Sequence, residues 1–319
     1  MAILVYTENW DGKFKKLSFE LLSYASKLGE MTGQQVTALS IGNVSEEDLL
    51  QLGDYGANKI LRVESGSLDV LDNQVYSRII AEAAGKESAR IVLLANNNQG
   101  KALAPRVAVR LKAGLGAALT SLPESAEPFI VKKKVFSGKA EAAVELKSGN
   151  KVLTLSQNSY KVEENKTGAA IESFSPSGAS EGNTTRKNIE KQTGKIILTD
   201  AEIVVSGGRG MKSADNWGNI EELADLLGAA TACSRPVSDE GWRPHAEHTG
   251  QTGKIIAPNL YFAFGISGAI QHLAGVSASK CIVAINTDPD APIFEAADYG
   301  IVGDAQKVLP ELITAIKQA

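Results

Sequence analysis

Glu202–Gly210 reads EIVVSGGRG, an apolar, β-branched run that ends in a turn of three glycines around one arginine. The run is continuous rather than alternating, as a strand covered on both faces requires. Glycines permit positive φ and close approach of backbone N–H groups to an anion, and a helix start beyond the turn adds a favourable dipole. No G-x-G-x-x-G follows any predicted strand, so the common dinucleotide fingerprint is absent.

Downstream, the pattern predicts a helix over Asn216–Leu227, strands at Lys254–Ile256 and Leu260–Phe264, a helix at Ala269–Ala274, strands at Cys281–Ile285 and Tyr299–Val302, and a closing helix at Ala305–Lys317. Upstream, strands read at Ile3–Thr7, Val36–Ile41, Lys59–Val63 and Ile91–Ala95. Between them Leu17, Leu21, Tyr24, Ala25 and Leu28 stand at helical spacing, and a second helix reads at Asn73–Lys86. Phe129–Leu155 (FIVKKKVF, AEAAVEL and KVLTLS) reads as antiparallel strands added to the first half. Lys161–Lys195, rich in Ser, Gly, Asn, Thr, Glu and Lys, reads as loop and crossing segment. The fold class is α/β, with two domains that are each a mostly parallel sheet flanked by helices. The expected boundaries are 1–190, with a linker at about 161–194, and 195–319.

The chain has 319 residues, and at roughly 150 residues per domain its length agrees with two. With 33 Lys and Arg against 37 Asp and Glu, a formal net charge of −4, nothing favours a polyanionic partner, so nucleic acid is excluded as the main ligand. Cys233 and Cys281 lie far apart without CxxC spacing and read as two reduced, buried thiols in a cytosolic protein. No export or organelle leader is visible, and apolar runs fall far below the ~18 residues of a membrane span. The expectation is a soluble, cytoplasmic protein of bacterial type with no membrane insertion.

Three further stretches carry candidate chemistry. HTGQTGK, His248–Lys254, presents Thr and Gln side chains between two glycines. LYFAFGISGAIQHLAG, Leu260–Gly275, is a buried strand, a Gly-rich turn and a helix start that places Ser267 near the N-cap and His272 in the first turn or two, where a phosphate or ring carbonyl could be met. CIVAINTDPDAPIFEAADYGIVGD, Cys281–Asp304, delivers Asn286 and Asp304 at the carboxyl ends of strands, where ligands of open α/β sheets lie. Pro289 and Pro292 interrupt Asp288, Asp290 and Asp298, which argues against a carboxylate metal cage. No nucleophile, base and orienter stand together.

GISGAIQHLAG followed closely by IVAINTDPDAPIFEAADYGIVGD, together with VVSGGRG, the Ser234–Arg235 pair and GQTGK in that order, resembles the α subunit of electron-transfer flavoproteins. The resemblance spans Lys195 to the C-terminus and extends more loosely to YTENWDGKFKK near the start. It implies a heterodimer with a β subunit and one non-covalent FAD held in a Rossmann-like second domain. Electrons would pass from flavin dehydrogenases, such as the acyl-CoA dehydrogenases of fatty acid β-oxidation, to a quinone reductase or respiratory chain. It also implies roles for residues. Arg209 and Ser234 would meet the pyrophosphate region and Arg235 the isoalloxazine. Thr252 would face flavin N5, with Gln251, Gly250 and Thr249 beside it, and His272 the N1/C2 edge. Ser267, Gly268, Ala269, Ile270 and Gln271 would cradle the ribityl and phosphate part, and Asn286, Asp304 and Ala305 the adenosine end. Pro236 departs from the family's pattern, which has a small non-proline residue there. Two other classes share the pattern: an FAD- or NAD-dependent oxidoreductase, and a nucleotide-binding regulatory module.

Overall fold

Buried, β-branched runs become parallel strands in both halves of the computed structural model, which describes residues 2–64, 68, 71–136, 138, 140–177, 187–188 and 196–318. Two units result, Met1–Val135 with Lys139–Ile189 and Phe136–Gly138 with Glu190–Ala319.

The first unit runs β1 (Ala2–Tyr6), a small ribbon of β2 (Asn9–Trp10) and β3 (Lys13–Phe14), α1 (Lys16–Thr32), β4 (Gln35–Ile41), α2 (Glu46–Leu50), β5 (Lys59–Val63), α3 (Asn73–Lys86), β6 (Ile91–Ala95) and α4 (Asn98–Leu111). It continues through β7 (Gly114–Leu119), β8 (Ser125–Ala126), β9 (Phe129–Val135), β10 (Ala140–Glu145), β11 (Lys151–Leu155) and β12 (Ala170–Ser173). The main sheet has the order β10-β9-β7-β11-β6-β1-β4-β5-β12, with β8 paired to β9. Every residue of β1 is buried: Ile3 and Val5 face one core, Ala2, Leu4 and Tyr6 the other. Such a strand must lie inside a sheet covered on both faces.

Three sequence expectations change here. KVLTLS is no antiparallel addition: β11 pairs in parallel with both β6 and β7, Leu153 opposite Leu93. Its Val152, Leu153, Thr154 and Leu155 are all buried, so the strand gains more between two neighbours than at an edge. Only β9 and β10 form the expected antiparallel pair. Within Lys161–Lys195, Ala170–Ser173 adds an edge strand parallel to β5; most of that stretch beyond 177 lies outside the described residues. The stretch 98–119, which carries no element in the sequence reading, holds α4 and β7.

The second unit runs β13 (Ile203–Gly207), α5 (Gly218–Leu227), β14 (Ala230–Cys233), α6 (Arg235–Asp239), β15 (Leu260–Phe264), α7 (Ile270–Val276), β16 (Ile282–Asn286), α8 (Ile293–Ala296), β17 (Tyr299–Val302) and α9 (Ala305–Gln318). Its five strands are all parallel, ordered β14-β13-β15-β16-β17. Numbered along the chain this is 2-1-3-4-5, with the switch in winding direction between β13 and β15, where a ligand crevice opens in doubly wound sheets. Lys254–Ile256 is not a strand. Lys254 makes one isolated bridge to Thr249, and Ile256 N–H bonds the Gly275 carbonyl instead of a sheet neighbour.

Candidate functional site

Four adjacent strands of the second sheet deliver their carboxyl ends to one rim. Arg209 and Gly210 follow β13, Ser234 to Pro236 follow β14, Gly265 to Ala269 follow β15, and Asn286 closes β16. With Asp239, the segment His248–Thr252, Gln271 and His272, they line a cavity of about 640 Å³. That is within the roughly 300–1,000 Å³ of small-molecule and cofactor sites.

Close backbone approach builds the rim. A Cβ on Gly210 would stand 2.7 Å from Gly265 Cα, and Gly210 N–H bonds the Gly265 carbonyl at 3.0 Å, so the turns after β13 and β15 lock together. The loop carrying Gln251 and Thr252 is seated in the same way. A Cβ on Gly275 would lie 2.4 Å from Gly250 Cα, and Gln251 N–H donates to the Gln271 carbonyl at 2.7 Å. Asn286 fixes the third side: Nδ2 donates to the Ile266 carbonyl at 2.8 Å and Oδ1 accepts from Asp288 N–H at 3.0 Å.

Beneath this rim lie two imidazoles. His272 is 7% exposed, its Nε2 lies 2.8 Å from the Tyr261 hydroxyl, and its Nδ1 makes no hydrogen bond of ordinary geometry. Burial, and then the neighbouring His248, lower its pKa to about 4, so the ring is neutral near pH 7. His248 is buried as well, its Nδ1 has no partner, and burial followed by the nearby His245 ring holds its pKa below the usual imidazole value. Unpaired polar atoms in a buried wall cost about 1–3 kcal/mol each unless something meets them, so the wall fits a polar ligand. Arg209 is exposed and forms no ion pair among the described residues. Arg235 pairs with Asp239 at 3.2 Å, both side chains being about 60% exposed (63% and 60%), a weak surface contact that a ligand anion can displace. Ser234 is buried at the N-cap of α6 but makes no side-chain capping bond, so its hydroxyl is uncommitted. The cavity therefore joins a cationic, hydroxyl-bearing side to a side walled by neutral imidazoles.

The electron transfer flavoprotein domain matches residues 3–179, and the electron transfer flavoprotein FAD-binding domain matches residues 197–277. The chain is 37% identical over 317 residues to the electron transfer flavoprotein subunit alpha of Syntrophomonas wolfei, covering 98% of each chain. It is 36% identical to that of Bacillus subtilis, covering 99% of this chain and 97% of the other. It is also 32% identical to the acryloyl-CoA reductase electron transfer subunit beta of Anaerotignum propionicum, covering 99% and 95%. The chain belongs to the electron transfer flavoprotein α-subunit family. Its second unit carries the family's FAD-binding domain, and its function is electron transfer through bound FAD.

The cavity gathers Arg209, Ser234, Arg235, Thr249, Gly250, Gln251, Thr252, Ser267, Gly268, Ala269, Gln271, His272 and Asn286 on one surface. Three residues named from sequence lie apart from that lining. Ile270 opens α7 and is 66% exposed. Asp304 bonds Lys212 Nζ at 2.9 Å and Gln306 N–H at 3.0 Å, and the lysine holds its carboxyl below the usual carboxylate range. Ala305 packs into the core beside Leu309 and Ile313.

Ser267 does not cap α7; the N-cap is Ala269, because Gly265 and Gly268 take φ of 61° and 81° and extend the turn by two residues. Pro236 sits in the first turn of α6, where no backbone N–H is needed and its fixed φ suits the helix. Cys233 is buried, and burial pushes its thiol up to about 12, but Cys281 is only partly buried, against the expectation of two buried thiols. Sequence reasoning missed His248, Asp239 and Tyr261. His248 opens HTGQTGK, but nothing in its neighbours shows that its ring turns inward under Gly253.

Proposed function

We propose that FAD occupies the cavity at the carboxyl ends of β13, β14, β15 and β16, and that the chain works as one half of a heterodimer with a β subunit. In this reading Arg209 and the free Ser234 hydroxyl bind the pyrophosphate region, and Ser267, Gly268, Ala269 and Gln271 hold the ribityl and phosphate part. Arg235 lies against the ring system, Thr252 with Gln251 serves N5, and His272 serves the N1/C2 edge. Asn286 keeps the Gly265–Gly268 turn in place at the adenosine end, with Asp304 and Ala305 beyond it. The bound flavin supplies reversible uptake of electrons. The protein's part is to bind, orient and bias: a cation and a neutral hydrogen-bond donor beside the ring favour added negative charge, and a hydroxyl can donate or accept as the protonation of its neighbour changes.

The observation that carries this reading is the convergence of uncommitted Arg209, Ser234 and two partly unpaired imidazoles on one cavity at the winding switch of a parallel sheet. Flavin dehydrogenases, acyl-CoA dehydrogenases among them, are the proposed donors, and a quinone reductase or respiratory chain the acceptor, in the bacterial cytoplasm. Among the described residues no helix is long and apolar enough to cross a membrane. The test is the visible spectrum and flavin content of the chain purified with its β subunit. One FAD per heterodimer, lost when Arg209 and Ser234 are replaced together by alanine, is expected. A flavin content unaffected by that double change overturns the assignment of the cavity.

A further inference from the structure

The hydrogen bond between Tyr261 and His272 joins the core of the second sheet to a residue of the cavity lining. Tyr261 is completely buried on β15, in the core beside Val204 and Ala263, and its hydroxyl lies 2.8 Å from His272 Nε2. A neutral imidazole carries one proton on one of two nitrogens, and the partner of the first decides the chemistry of the second.

We infer that Tyr261 is a positioning residue: its hydroxyl donates to His272 Nε2, which leaves the ring's single proton on Nδ1 and so presents the cofactor with a neutral donor.

The surrounding groups favour that direction of the bond. Burial raises the phenol's pKa, so the group keeps its proton and has one to give. The Ser206 and Thr249 hydroxyls lie beside the phenol oxygen. Thr249 Oγ1 donates to the Cys233 carbonyl at 3.2 Å and Ser206 Oγ makes no hydrogen bond, so among the described residues the His272 ring nitrogen is the phenol's one hydrogen-bond partner. With Tyr261 donating to Nε2, the buried phenol proton has an acceptor. In the reverse tautomer Nε2–H would donate to the phenol oxygen and the phenol's own proton would be left in the core with no acceptor, a desolvated donor with nothing to meet it.

The inference rests on FAD occupying this cavity, and one experiment separates the two claims. The chain, nitrogen-labelled at its histidine rings and assembled with unlabelled β subunit and FAD, carries only three histidines, so His272→Gln identifies the His272 resonances. Ring-nitrogen spectra of the wild type are expected to show a protonated Nδ1 and an unprotonated Nε2. Tyr261→Phe, which removes one oxygen and keeps the ring, is expected to shift the tautomer ratio toward Nε2–H roughly five- to tenfold, the effect of losing one ordinary hydrogen bond. If Tyr261→Phe does not fold, the wild-type spectrum alone decides the direction of the bond. A wild type dominated by Nε2–H, or a Tyr261→Phe variant that leaves the ratio unchanged, overturns the role of Tyr261. His272 resonances that do not move when FAD is removed, in a protein whose tautomer still answers to Tyr261→Phe, overturn the placement of FAD and leave the hydrogen-bond assignment standing.

Discussion

The two units are built from the same kind of sheet, yet they open at opposite ends. In the first unit a cavity of about 840 Å³ lies by Gln34, Arg90, Ile91 and Lys151, at the amino ends of β4, β6 and β11. In the second a smaller cavity of about 640 Å³ lies at the carboxyl ends of β13 to β16. Size therefore does not mark the site; strand direction does, because ligands of open α/β sheets bind beyond the carboxyl ends. At the carboxyl end of the first sheet several polar groups engage one another. Glu8, after β1, accepts from Asn97 Nδ2 at 2.6 Å, Asn97 Oδ1 accepts from Gly100 N–H at 2.9 Å, and Thr7 donates to the Leu39 carbonyl at 3.0 Å. At the same end of the second sheet, Arg209, Ser234, His248 and His272 keep unmet capacity.

The sharpest way to break this contrast is steric. Gly275→Val places side-chain atoms where Gly250 Cα would be only 2.4 Å from the new Cβ, and backbone cannot yield cheaply. We expect loss of FAD from the purified heterodimer and about 3 kcal/mol of destabilisation, read from flavin content and denaturant unfolding. Gly149→Ala, at the first unit's cavity, meets nothing within 4 Å and should change stability by less than about 0.5 kcal/mol, with FAD retained.

Acid titration separates the units next. The pKa of His272 is lowered to about 4 in the folded chain, below the roughly 6.5 of an unfolded histidine. Its neutral form therefore stabilises the fold above pH ~6.5, and that contribution, about 3 kcal/mol, is lost as pH falls toward 4. His272→Gln should flatten the fall of stability across that window for the second unit. All three histidines lie in the second unit, so unfolding of the first should contain no such step. An unchanged slope in the variant would show that the ring is protonated in the folded state.

Two redox measurements sharpen the comparison within the cavity. A hydrogen bond to a charged group is worth ~1.5–3 kcal/mol, so His272→Ala should lower the first one-electron potential of bound FAD by roughly 60–125 mV. A histidine that only packs would cost thermal stability and leave the potential alone. Arg235 is 63% exposed, and its cationic influence is correspondingly screened. Arg235→Ala should lower the potential by only roughly 20–40 mV, about 0.5–1 kcal/mol, and Arg235→Lys should recover part of it, since a lysine keeps the charge but not the planar guanidinium. A larger shift for Arg235 than for His272 would reverse the order of influence drawn from burial.

The sequence by itself determined what is local. Continuous buried runs such as ILVY and LYFAF placed strands, helical spacing placed α1 and α3, and Gly-rich turns after β13 and β15 located the site's two principal loops, because backbone preference and one-sided burial act over a few residues. It also ordered most of the residues that line the cavity. Tertiary structure alone decided the rest. KVLTLS became an interior parallel strand, since the choice between edge and centre depends on neighbours 60 residues away in β6 rather than on the turn beside it. Asp304 was drawn to Lys212 and the start of α9 by a charge 92 positions distant. His248 came to lie with His272 in one wall, and Tyr261 beneath it, because pairing Val204 with Tyr261 and seating Gly250 on Gly275 bring together segments that share no local signal. Burial, and with it the neutral state of both imidazoles, is a property of the assembled sheet and its loops, so no stretch of the chain could have announced it.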